Sequence, residues 1–450
     1  MMGALTAAPG VAPMALLCAL VAPVTVAAAA PKSFLGEMVR RAQPQPREPS
    51  LVRWPSAALE SGSGEAKKLG AMKAATPWFH TSDELAAEAR KTAERCGGRA
   101  TVESHKNGEV TIDSITIKAD KPDPANRVFI VFGEHSRELI TAESGLGMLK
   151  ALCGEGQGSP KFSTQSLLQD NEFTLVLNAN PRSRRQVEQG DFCLRANPNG
   201  VDLNRNYDMG WNAETPHDLA NTNPGPHPFS ELETQIMKKL MEDANPTTFL
   251  TVHSGTRGMY MPWAWSRDKL ETRNRKPMME VLEALDKDHC RCPYGAAGKE
   301  VGYAAPGTSL DYARKIKGNE FSFAFEIAAS HDLDPDLKAR YDEERELEKA
   351  GQVPQSFLQV ARSGSMSISR PLSHPESMAF LHRYPSDFVQ VAAKTNGTAA
   401  EPLTEKDCFG QYNPVTQKEY KEVVDNWVAT FLEMAQMTNE KIHQLKHTAN

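Results

Sequence analysis

At 450 residues the chain can bury a large core, and length alone suggests roughly two to four domains. Its 40% hydrophobic and 24% charged residues, with 30 Gly and 30 Pro, are ordinary for a soluble globular protein. A formal net charge of −6 gives no broad basic field, which argues against nucleic acid as a partner.

In chain order, residues 14–24 form an apolar run interrupted by Pro23, and Val26 to Ala30 are small enough for signal cleavage. This predicts a signal peptide over residues 1–30 and a secreted or lumenal protein, although no Lys or Arg precedes the apolar core. A signal anchor is the alternative, but the run is short, and nothing after it is apolar for long enough to cross a bilayer. No membrane insertion is therefore expected once the signal is removed. Residues 31–75, rich in Pro, Ser, Glu and Lys, are expected to be an N-terminal extension, disordered in part.

The spacing of Leu85, Ala86, Ala89 and Ala93 predicts a helix, capped at Ser82-Asp83 and stopped by Gly97-Gly98. Residues 110–117 alternate like a half-buried strand, and 127–132 (RVFIVF) read as a central one. A helix over 138–152 follows, then strands over 173–178, 248–252 and 321–327. Strands alternating with helices predict an α/β fold: three α/β/α layers around a central mixed, mostly parallel twisted sheet flanked by helices. Residues 332–351 are densely charged and 362–375 Ser-rich, so about 329–405 stands out from what precedes it. The stripe Tyr420, Val423, Val424, Trp427, Val428, Phe431, Leu432 and Met434 predicts an amphipathic helix over 418–437 that packs on the domain, with 441–450 as a tail.

Cys18 falls in the signal. The remaining six cysteines, at 96, 153, 193, 290, 292 and 408, allow up to three disulfides in an oxidising compartment, with connectivity left open. Asn396-Gly397-Thr398 is the acceptor sequon for glycosylation.

The chemistry gathers at strand ends. His135 and Glu138 follow the central strand three residues apart, at a strand-to-helix junction where imidazole and carboxylate can face one ion. His253 ends another apolar strand at a polar turn, and two histidines with a glutamate make an open zinc site with a position left for water. Alone, His135 could cap its strand, Glu138 could meet the helix dipole and His253 could be structural. Glu326, inside the aromatic strand, needs a partner to be buried; a salt bridge is one, the proton of a metal-activated water another.

These residues stand in strings that resemble the metallocarboxypeptidase A/B family of zinc peptidases. His135-Ser136-Arg137-Glu138-Leu139-Ile140-Thr141 resembles its zinc motif, and Asn199-Gly200-Val201-Asp202-Leu203-Asn204-Arg205-Asn206 its carboxylate-recognition segment. Leu250 to Ser254 and Phe323 to Glu326 resemble its third-ligand and catalytic strands, in the same order over residues 75–437. The resemblance implies one Zn2+ per chain on His135, Glu138 and His253, with Glu326 as general base. It implies Arg195 for the developing oxyanion, Asn204 and Arg205 as the clamp on a terminal carboxylate, and Arg137 as an outer docking residue. Tyr303, eight residues before Asp311, would cap the substrate, while nearby Tyr312 is expected to be structural. Peptide or protein C-termini are then the partners, and a monomer is expected.

Three departures qualify the resemblance. Residues 31–75 are short for an inhibitory propeptide, and about 329–405 reads as an insertion. Leu310, at the pocket-floor position, favours an apolar or aromatic terminal residue, whereas Arg257 would favour an acidic one if it reached the pocket. A related zinc amidohydrolase and a catalytically silent peptide-binding protein are the rival readings.

Overall fold

The computed structural model describes residues 70–213, 221–268, 271–329 and 405–449. The expected signal, most of the expected extension, the sequon and residues 330–404 of the expected insertion lie outside the described residues.

A short helix α1 (Ala71–Ala75) lies within the expected extension, with Met72 buried against the core. Helix α2 (Ser82–Arg95) begins one residue earlier than its sequence suggested. Thr81 is the cap, with Glu84 closing a capping box. Ser82 is otherwise engaged, since its amide and hydroxyl both donate to Glu188, at 2.7 and 2.6 Å. Strand β1 (Ala100–Asn107) was not foreseen; it is polar, partly exposed and sits at the sheet edge, so no apolar run announces it.

Short helical turns of five residues or fewer aside, the other elements are β2 (Val110–Ile117), β3 (Asn126–Phe132), α3 (Leu139–Leu152), β4 (Asn171–Val176), α4 (Pro181–Glu188), α5 (Leu232–Ala244), β5 (Thr248–His253) and β6 (Arg257–Met261). They continue with α6 (Arg275–Leu285), β7 (Tyr294–Ala296), α7 (Ser309–Lys315), β8 (Phe321–Ile327), α8 (Glu405–Tyr412) and α9 (Gln417–Ala449). Among the described residues the strands form one eight-stranded sheet in the order β1-β2-β4-β3-β5-β8-β6-β7. Its interior pairs β4-β3, β3-β5 and β5-β8 are parallel, while β1-β2, β2-β4 and β6-β8 are antiparallel.

The alternation of β3 explains the layering. Val128, Ile130 and Phe132 pack with α3, α6 and α9 on one face, whereas Phe129 and Val131 pack with α5 and α7 on the other. A fully buried parallel strand carries large apolar groups on both faces, as here. Gly147 on α3 lets α9 come close, because a Cβ there would lie 2.8 Å from Val424 Cγ1. Helix α9 runs well past the expected end near 437 and through most of the expected tail. Ile442 remains buried, and Thr438 Oγ1 accepts from Asn126 Nδ2 at 3.1 Å, so the added turns have partners on the sheet.

The six cysteines after Cys18 pair as Cys96–Cys153, Cys193–Cys408 and Cys290–Cys292. The second bond fastens α8, which follows the residues outside the description, to the segment leading into Arg195. Because β4 and β5 flank β3 while chain order runs on from β3 to both, the sheet has a switch point at β3, where ligands collect beyond strand ends.

Candidate active site

The site grows from that switch point. Beyond Phe132 the chain leaves β3 through Gly133 to Arg137, which carries His135, and enters α3 after Glu138. Glu138 occupies the cap position of α3 but makes no side-chain cap bond, leaving both its oxygens for other partners. Asn413 secures this turn from the far end of the chain: its Oδ1 accepts Ile140 N at 3.0 Å and its Nδ2 donates to Arg137 O at 2.8 Å. His253 is the last residue of β5, in register with Glu326 on β8.

His135, Glu138 and His253 are all buried, and one donor atom of each lies within 4.8 Å of the other two. His135 Nδ1 is 2.8 Å from Glu138 Oε1, His253 Nδ1 is 3.2 Å from Glu138 Oε2, and the two Nδ1 atoms are 3.1 Å apart. A tetrahedral zinc ion with bonds of about 2.1 Å holds its ligands about 3.4 Å apart, so the spacing and the N/N/O donor set both fit zinc.

Each histidine is also held from behind, as metal ligands require. His135 Nε2 meets Asp202 Oδ1 at 3.2 Å, and Arg195 grips the other oxygen of Asp202 through Nη2 at 2.9 Å and Nε at 3.1 Å. Arg195 Nη1 is also 3.7 Å from Glu138 Oε1. His253 Nε2 lies 2.9 Å from Thr251 Oγ1 and 3.1 Å from Asn204 Nδ2. Burial works against every charge here, but the neighbours prevail. His135 and His253 hold Glu138 far below the usual carboxylate range, and Arg195 and His135 do the same for Asp202. Burial opposes charge on His253 too, yet Glu134, Glu138 and Glu326 push its pKa up to about 10, so these carboxylates favour positive charge at this point.

The other expected residues divide into near and far. Glu326 is half-buried beside His253 and acts on its charge. Arg205 is buried, with Nη1 donating to Asn204 O at 2.7 Å, and Asn204 Oδ1 accepts Ser309 N at 2.9 Å. Gly307, at φ +74°, permits this approach: a Cβ there would lie 2.1 Å from Arg205 O. Arg137 is turned onto the Tyr412 ring, 3.9 Å from its centroid, and donates to Cys193 O at 3.2 Å. Tyr303 is 45% exposed on the loop before Gly307. Tyr312 is structural as expected, its hydroxyl donating to Glu242 at 2.8 Å.

Leu310 is buried in a small apolar cluster of its own, with Tyr260, Ala264, Ala297 and Ala305, and with Ala324, two residues before Glu326, packed against it. The neighbouring Asp311 accepts backbone N–H groups of Ala264 and Trp265 at 2.8–3.0 Å, while burial pushes its pKa up to about 7. The Arg257 guanidinium donates to Cys290 O at 3.2 Å.

Sequence reasoning missed Asp202 and Glu134. Asp202 stood two residues before Asn204, and Glu134 immediately before His135. For Glu134 the available signal was an acidic residue beside a ligand at the end of an apolar strand, since metal-binding histidines recruit carboxylates; Asp202, in a polar segment far in sequence from the ligands, gave none.

Residues 88–348, more than half the chain, match the family model described as zinc carboxypeptidase. Carboxypeptidase A1 of Bos taurus is 25% identical over 221 residues, covering 44% of this chain and 50% of that protein. Carboxypeptidase O of Bos taurus is 32% identical over 234 residues, covering 47% and 60%. The chain thus spans about half the length of the curated relatives it matches. Among solved structures, carboxypeptidase A from Helicoverpa armigera aligns at 20% identity with a TM-score of 0.48, over 69% of this chain and 79% of its own. The fold rests on the strand order rather than on that likeness. A family match of this extent, over a stretch that holds two imidazoles and a carboxylate converging beyond β3 and β5, makes the chain a member of the zinc carboxypeptidase family.

Proposed function

We propose that the protein is a secreted zinc carboxypeptidase that removes the last residue of peptides or proteins, with a preference for apolar or aromatic ends. The convergence of His135, Glu138 and His253 on one point, with Glu326 alongside, carries the reading. Residues 76–440 would be the catalytic domain.

His135, Glu138 and His253 would hold one Zn2+, which when bound polarises a carbonyl and acidifies water. Glu326 accepts the proton of the attacking water and returns it to the leaving amine. Arg195, anchored by Asp202, offers its remaining donors to the oxyanion as charge builds there. Arg205 clamps the terminal carboxylate with its planar fork and Asn204 adds its amide; an internal peptide bond has no such charge to offer. Arg137 guides the outer part of the substrate, and the exposed Tyr303 has room to close over it. The terminal side chain would sit against Leu310 and its alanine-rich neighbours, where a buried cation would lack a partner.

Two observations support export, and a third bears on membrane spanning. The six cysteines are all paired, as in oxidising compartments. Among the described residues no helix is long and apolar enough to cross a membrane. The apolar run before Val26 has a signal's length.

The test is to purify the protein, measure bound zinc, and assay blocked dipeptides that differ in the last residue, each also as its C-terminal amide. The expected result is one zinc per chain, fastest release of Phe or Leu, and no reaction with the amides. Zinc-loaded protein that releases no terminal residue would sink the enzyme reading and leave the silent binding protein.

A further inference from the structure

The two ligand histidines are supported differently. Asp202 reaches His135 Nε2 directly at 3.2 Å, whereas Glu134 Oε2 stands 3.5 Å from His253 Nε2. Thr251 stands between them, its Oγ1 2.6 Å from Glu134 Oε2 and 2.9 Å from His253 Nε2. We propose that Glu134, acting through the Thr251 hydroxyl, is the positioning residue that sets the metal-binding tautomer of His253. The inference rests on reading His135, Glu138 and His253 as a metal site.

Hydrogen-bond bookkeeping carries the argument. An ionised carboxylate only accepts, and a threonine hydroxyl has a single proton to give. Glu134 is 1% exposed and takes three hydroxyls: Thr251 at 2.6 Å, Ser309 at 2.8 Å and Tyr207 at 3.0 Å. The 2.6 Å bond has the length of a charge-assisted one, which commits the Thr251 proton to Glu134. What Thr251 then presents to His253 is a lone pair. The imidazole must answer with Nε2–H, leaving the lone pair on Nδ1, the nitrogen that faces Glu138 and His135.

A competitor makes this choice consequential. Asn204 Nδ2, a donor, lies 3.1 Å from the same Nε2, and its amide is oriented by Ser309 N donating to Asn204 Oδ1 at 2.9 Å. Were Asn204 to win, Nε2 would accept, the proton would sit on Nδ1, and that nitrogen could not bind metal. Glu134 tips the contest toward Thr251 and frees the Asn204 amide hydrogens for a substrate carboxylate.

The experiment uses the full chain with Thr251→Val, Thr251→Ser, Glu134→Gln and the double variant Glu134→Gln/Thr251→Val. Zinc affinity is read by competition with a chromophoric chelator, and folding by thermal melting. Thr251→Val should weaken zinc about 10- to 100-fold, the usual cost of losing an outer-shell partner, whereas Thr251→Ser should stay close to wild type. The double variant should be no weaker than the worse single, because both changes cut one relay. A folded Thr251→Val with wild-type affinity, a Thr251→Ser as weak as the valine, or additive losses would each overturn the proposal. The serine and valine pair decides it even if Glu134→Gln does not fold. Wild-type protein that binds no zinc overturns the functional reading as well, whereas a zinc-loaded, active wild type with an indifferent Thr251→Val removes this inference alone.

Discussion

Around His135, Glu138 and His253 three supporting side chains are buried and doubly bonded: Asp202 between His135 and Arg195, Thr251 between Glu134 and His253, Asn413 across the turn before α3. The rim beyond them is built otherwise. Tyr303 is 45% exposed, Arg137 rests on an aromatic ring, and Leu310 sits with Tyr260 and several alanines in a cluster apart from the main core. On the proposed function, the contrast follows from what each must do. A metal centre must hold three atoms to a fraction of an ångström, which takes rigid strand ends and a fixed outer shell. A rim that admits and releases substrate needs room to move.

The centre should therefore fail sharply and the rim gradually. Stripping zinc with a chelator should abolish activity, and added Zn2+ should restore it. Glu326→Gln should keep zinc but lose about 10²- to 10⁴-fold in kcat, the range for general acid–base catalysis. Arg205→Ala should leave zinc content unchanged while kcat/KM on free-carboxylate substrates falls about 100-fold or more, since a buried charged contact is lost. Asp202→Asn should weaken zinc about 10- to 100-fold by loosening His135, and should also free Arg195 from its anchor. Tyr303→Phe should cost only several-fold, mainly in KM, one hydrogen bond being worth about 1 kcal/mol. If Tyr303→Phe proved as damaging as Arg205→Ala, the distinction between a rigid centre and a forgiving rim would fall.

The smallest effect concerns stability rather than catalysis, and separates the ligand helix from the ligands. His80 Nδ1 meets Glu143 Oε2 on α3 at 2.7 Å, and the His80 amide donates to Glu143 Oε1 at 2.7 Å. The bond to Glu143 raises the His80 pKa above its ordinary 6.5, against burial and the more distant charges of Lys150 and Lys73. A raised histidine adds stability that is complete below its unfolded pKa and fades as pH rises through the folded one. His80→Gln should therefore lower the melting temperature most below about pH 6.5 and least in alkaline solution, with zinc affinity unchanged. A penalty that grew with pH would contradict the assigned pair.

The arrangement of the chain also divides between what local pattern carries and what it does not. Continuous apolar runs and the changes of period announced β3, β5, β8 and the stripe of α9, because a strand buried on both faces admits little else. The polar edge strand β1 and the added turns of α9 gave no such sign, since their partners are supplied by distant segments such as Asn126. The same holds for the pairing of Cys193 with Cys408 across 215 residues.

By itself the sequence determined the α/β class, and it singled out an expected export signal and the candidate residues His135, Glu138, His253 and Glu326, because ligand chemistry and strand-end placement are local properties. Only the tertiary structure decided that Asp202 stands behind one histidine and Glu134, through Thr251, behind the other. It also decided that Asn413, far along the chain, braces the turn carrying His135. Such second partners are chosen by proximity after folding, and a buried charge can take its partner from any element the sheet brings within about 3 Å.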